Sequence, residues 1–106
     1  MAKEVIDEMF EGSYPGIGTI SWTDRPYRGY FGKHFHDSHN ILINSVLNSV
    51  NVNKETIKFV LYHEMLHRDM PYHDKDFRDE EHKYPRWQDH ENFLYETMNK
   101  FDIKEW

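Results

Sequence analysis

A chain of 106 residues with an apolar fraction of 38% holds the material for one domain, residues 1–106, with a modest core, and that fraction excludes a disordered chain. Its net charge of −6, with lysines and arginines scattered among acids, excludes the clustered basic surface that autonomous nucleic-acid binding needs. It has no cysteine, which excludes disulfides and thiolate metal sites and suits the cytoplasm; the acids Glu4, Asp7 and Glu8 break up any leader-like start, and no apolar run approaches membrane-spanning length.

In chain order, Val5, Ile6, Met9 and Phe10 recur at helical spacing and predict a helix over residues 3–11. The run Gly12-Ser13-Tyr14-Pro15-Gly16 ends it. Residues 17–22 alternate loosely, with Ile20 and Trp22 on one face, and predict a first strand. Asp24-Arg25-Pro26 reads as a turn, and the aromatic, glycine-punctuated residues 27–35 predict a second strand. Ile41-Leu42-Ile43-Asn44, a short β-branched run, predicts a third. Residues 45–48 suit a short helical turn.

The strongest element begins at Asn53, a favoured N-cap, with Val52 and Ile57 at the two positions of a hydrophobic staple. It should run to about Asp69, because Pro71 cannot continue it. Its apolar residues surround the axis almost completely, which puts it in the middle of a domain. Two more helices are expected, one from about Asp74 to before Pro85 and one from about Trp87 or Asp89 to Phe101. One helix, three short strands and three helices make an α+β fold.

The central helix carries His63-Glu64-Met65-Leu66-His67, an HExxH pattern. Residues i and i+4 share a helix face, so both imidazoles can reach one tetrahedral zinc ion. Zinc supplies Lewis acidity that activates water and polarises a carbonyl, and a carboxylate at Glu64 can take the water's proton. In a chain with eight histidines the five-residue pattern has roughly a one-in-twenty chance origin. Its position in an apolar helix strengthens it, since two histidines and a glutamate buried without partners are costly. The plainer alternative is a satisfied core His pair with a surface glutamate.

Catalytic zinc keeps three protein ligands and one open position. His73, Glu81 and His82 are the candidates for the third, with His73 preferred, then Glu81. For the stabilisation of a developing oxyanion, Tyr72, Arg78, His82 and Tyr84 lie near the motif. Upstream, His34, His36 and His39 form a second group with Asp37. Alternating His34 and His36 could share a strand face, but a solvated loop is the plainer reading.

From His63 to Phe77 the sequence HEMLHRDMPYHDKDF is HExxH, five residues, then HxxxF. This resembles the SprT-like metallopeptidases and their small zincin relatives, including the stand-alone minigluzincins of similar length. Phe77-Arg78-Asp79-Glu80-Glu81 and Tyr84-Pro85 are similar to a stretch of short prokaryotic SprT-like proteins, and residues 41–44 resemble the strand before their active-site helix. The likeness covers about residues 39–95. It implies a minimal zincin-like domain, His63 and His67 as zinc ligands and Glu64 as general base. The SprT-like pattern implies His73 as third ligand, and the minigluzincin pattern implies Glu81. It also implies a polypeptide substrate, bound by adding an extended strand to the sheet along residues 41–44. The competing function is a catalytically silent, zinc-stabilised regulatory or structural module.

Overall fold

A computed structural model describes every residue except Glu105. The elements follow the predicted order: helix α1 (Ala2–Met9), strands β1 (Ile20–Trp22), β2 (Gly32–His34) and β3 (Ile41–Ile43), a 3-10 turn (Ser45–Leu47), then helices α2 (Lys54–Leu66), α3 (Lys75–Glu81) and α4 (Trp87–Phe101). The fold is α+β, as expected.

Helix α2 is the axis. The Asn53 side chain caps it by accepting from the Glu55 amide at 2.9 Å. Every residue from Thr56 to Leu66 is buried, between the sheet on one side and α1, α3 and α4 around the rest. The buried Lys58 ammonium anchors α1 to α2 through Glu4 and Glu8, at 3.3 and 3.2 Å, and pairs with Glu55 on its own helix. The Tyr62 hydroxyl donates to the Glu80 carbonyl at 2.8 Å and fixes α3 against α2.

The strand order is β1-β3-β2, with β1 parallel and β2 antiparallel to β3. The β3 run, expected to offer an open edge, is therefore the central strand. Its amides and carbonyls are shared between two neighbours, so a peptide cannot add along Ile41, Leu42, Ile43 and Asn44. The edges open to addition are β1 and β2.

The second strand is shorter than expected because Asn44, fully buried, holds the preceding chain in another conformation. Its amide nitrogen donates to the Tyr30 carbonyl at 2.8 Å, and its oxygen accepts from the backbone of Tyr27 and Val46 at 3.1 and 3.0 Å. Residues 27–30 thus form a pinned loop, and only Gly32–His34 pair with β3. At the other end of the chain, Asp102 takes a left-handed conformation after α4, Ile103 tucks into the core, and the Lys104 amide donates to the Arg28 carbonyl at 2.7 Å. That bond carries the C-terminal residues back across the molecule toward α2.

Candidate metal centre

His63 and His67 project from the last turns of α2 into a cleft. His73, on the loop between α2 and α3, meets them there. The three Nε2 atoms form a triangle with sides of 3.1, 3.3 and 3.0 Å. Zinc with nitrogen ligands at 2.0–2.1 Å has a tetrahedral edge of about 3.3 Å. The triangle therefore has the size of one face of such a tetrahedron.

The outer ring nitrogens determine what those Nε2 atoms carry. The Nδ1–H of His67 donates to the Met70 carbonyl at 2.9 Å. The Nδ1–H of His63 donates to the buried Glu81 carboxylate. In their neutral forms both rings must then present bare Nε2 lone pairs to each other. Lone pairs at that separation repel unless a cation lies between them, so the donor set fits zinc. Burial and the neighbouring rings hold His63 well below its ordinary pKa, and burial holds His67 down at about 4, which keeps both in the neutral form that binds a metal.

Phe77 seats the three rings. It lies flat against His67, with centroids 4.6 Å apart, and meets His63 and His73 at 4.8 and 5.1 Å. The Asp74 side chain caps α3 by accepting from the Phe77 amide at 3.0 Å, which sets the buried ring beneath the site. The HxxxF spacing thus has a physical reason: His73 reaches the triangle from the loop, and the helix it leads into returns an aromatic ring beneath it.

Glu64 lies beside the triangle, with Oε2 3.8 Å from the Nε2 of His63. It is 4% exposed, and burial together with the nearby Glu81 pushes its carboxyl up to about 8. A positive ion at the triangle would favour the carboxylate again. Opposite stands Gly32 of β2, which approaches so closely that a Cβ there would lie 2.8 Å from the Glu64 Cγ.

The remaining sequence candidates divide. Glu81 lies behind His63 and holds that ring, while its other oxygen accepts from Arg78 at 2.8 Å. His82 faces away and stacks on Trp87 at 3.5 Å. Tyr84 is buried with its hydroxyl on Glu55, and Tyr72 is largely exposed. None of Tyr72, Arg78, His82 and Tyr84 lines the cleft; its far wall is Tyr30, Phe31, Gly32, Lys33, His34 and His36. The solvated-loop reading of the upstream histidines fails for His34. It is 8% exposed on β2, with Nε2 3.1 Å from the Nδ1 of His39. The alternation of His34 and His36 was the signal, and it marks a wall of the cleft.

The aromatic end of the sequence, Trp106, could pack on a neighbouring molecule or fill the chain's own cleft, and it lines the cleft. Its indole stacks on His63 with centroids 4.0 Å apart and planes 24° from parallel, and its main-chain oxygen accepts from Arg78 Nη2 at 3.4 Å.

No protein-family model and no curated sequence matches this chain. Among solved structures, the metallopeptidase zymogen abylysin of Pyrococcus abyssi superposes over 100% of both chains with a TM-score of 0.68 and 18% sequence identity. The chain folds like a small metallopeptidase. At this identity the likeness speaks for the fold alone, a small α+β domain as expected. Among the described residues, no helix is long and apolar enough to cross a membrane.

Proposed function

We propose that this chain is a small zinc-dependent metallopeptidase that hydrolyses peptide bonds in extended or unfolded polypeptides, in the manner of the SprT-like and minigluzincin enzymes it resembles. The carrying observation is the triangle of Nε2 atoms on His63, His67 and His73, two of whose rings have already committed their protons elsewhere. Zinc held there would supply Lewis acidity toward water and the scissile carbonyl. Glu64 takes the proton of the attacking water and delivers it to the departing amine nitrogen, as carbon–oxygen bond formation replaces the carbon–nitrogen bond. Glu81 keeps His63 in the metal-binding tautomer. A cysteine-free composition suits cytoplasmic work of this kind.

The substrate is proposed to lie along β2. The Asn44 amide donates to the Phe31 carbonyl and the Phe35 amide to the Asn40 carbonyl. By antiparallel alternation Lys33 also bonds inward, and Gly32 and His34 turn their amides and carbonyls outward. An extended peptide can pair with those groups beside Glu64 and the histidines.

The described conformation is the covered form of the site, since Trp106 lies on His63. Activity should therefore be assayed in a Trp106→Ala background. With zinc, that protein should digest casein, and the same protein with Glu64→Gln should keep its zinc and lose the digestion. Equal digestion by both would refute the role of Glu64. Zinc binding without digestion by either would favour the silent module.

A further inference from the structure

We propose that the slot now filled by the Trp106 indole is a side-chain pocket that selects a planar aromatic residue next to the scissile bond of the substrate. This deepens the peptidase reading and rests on it for the words substrate and scissile bond; the slot itself rests on geometry.

Three aromatic walls form it. The His63 ring stacks on the indole at 4.0 Å, Phe31 meets it edge-on at 5.9 Å and 75°, and Phe59 closes the third side at 5.8 Å. All three walls are themselves buried, Phe31 and Phe59 completely. Packed aromatic walls are pre-formed, so an entering side chain meets them without reordering them. Flat walls at stacking distance reward a ring, which gains face and edge contacts that a branched aliphatic chain cannot make.

The slot reads shape and offers the ring no polar partner. The Trp106 Nε1 is buried with no hydrogen-bond acceptor among the described residues. Burying an N–H unpaired is unfavourable. A phenyl ring avoids that loss, so phenylalanine should be accepted at least as well as tryptophan. The main chain does have a polar contact: Arg78, fixed by Glu81, reaches the main-chain oxygen of the residue whose ring is in the slot. Phe31, His63 and Trp106 line the same cleft as Glu64, so a ring seated there lies beside the reacting carbonyl.

The test uses zinc-loaded protein with Trp106→Ala to empty the slot and Glu64→Gln to prevent turnover, titrated with N-acetyl amides of phenylalanine, tryptophan and leucine and followed by NMR. Phenylalanine amide should bind about two- to twelvefold tighter than leucine amide, the range expected for an aromatic contact, with shifts centred on Phe31 and His63. Tryptophan amide should bind no tighter than phenylalanine amide. Equal binding of leucine and phenylalanine amides, or shifts elsewhere, would overturn the proposal.

Two further arms guard it. In the otherwise unaltered chain, Trp106→Phe should keep the Lys104 amide as protected from hydrogen exchange as in the parent, and Trp106→Leu should expose it; equal protection by leucine overturns the slot even if the Ala variant folds poorly. In Trp106→Ala with Glu64 intact, casein cleavage sites should carry an aromatic residue on one constant side. Cleavage without that enrichment overturns the slot and leaves the peptidase standing. Selective aromatic binding without any cleavage supports the slot and counts against the peptidase.

Discussion

Gly32 and Glu64 are mutually dependent: the edge strand can run past the proposed general base only because residue 32 has no side chain. A Cβ at Gly32 would lie 2.8 Å from Cγ and 3.1 Å from Oε2 of Glu64. Glu64 leaves the buried stretch Thr56–Leu66 of α2, so the clash would be relieved by swinging its carboxylate off the line to the metal triangle. The Gly32→Ala variant should keep its zinc, lose about 1–3 kcal/mol of stability from overpacking, and lose peptidase activity by about a hundredfold, because a general base displaced by an ångström is poorly aligned. Zinc stoichiometry, thermal unfolding and casein digestion, in the Trp106→Ala background, check the three parts separately.

Glu81 should behave as the support of a ligand. Glu81→Gln preserves an acceptor for the His63 Nδ1–H but removes the charge, and zinc affinity should fall by about ten- to a hundredfold, typical of a partner one shell out. His73→Ala, which removes a corner of the triangle, should cost more. Competition against a chelator with known zinc affinity ranks the two; a larger loss in Glu81→Gln would make Glu81 the ligand.

The metal-stripped protein should be most stable near pH 6.5. Glu64 is raised from an ordinary 4.5 to about 8, so between those values the folded state holds the proton more tightly than the unfolded state. Its effect is to destabilise the fold as pH rises through that window. His67 is lowered from 6.5 to about 4, and His63 shifts the same way, so the unfolded state binds more protons below 6.5 and stability falls on acidification toward 4. From 6.5 down to 4.5 the two histidines outweigh the single carboxyl. Thermal midpoints of chelator-treated protein across pH 5 to 8 should trace this maximum, and Glu64→Gln should flatten its alkaline side and steepen its acid side.

Much of the site was legible in sequence because its parts are local. The Asn53 cap, the Val52 and Ile57 staple and the apolar surround of residues 56–66 define α2 without reference to anything distant. HExxH spacing then puts two imidazoles on one face, and HxxxF brings His73 and Phe77 in from the next turn of chain. Long-range contacts decided the rest. The shortness of β2 depends on Asn44, more than ten residues away, and the position of Trp106 on the bond between Lys104 and Arg28. The resemblance put residues 41–44 at a sheet edge, yet a cue against that exists in the sequence: Ile41, Leu42 and Ile43 carry no charge, while β2 carries Lys33 at its middle, and exposed edges tend to be charged. The alternation of His34 and His36 is visible in sequence, but the burial of His34 is not, because it comes from other parts of the chain folding over it.

The most direct test of the central claim is X-ray absorption at the zinc edge of the zinc-loaded protein. Three imidazole nitrogens at about 2.0–2.1 Å and one oxygen ligand from solvent are expected for His63, His67 and His73. Two imidazoles with a protein carboxylate would replace His73 by Glu81, and a folded chain that takes up no zinc at all would contradict the metal centre itself.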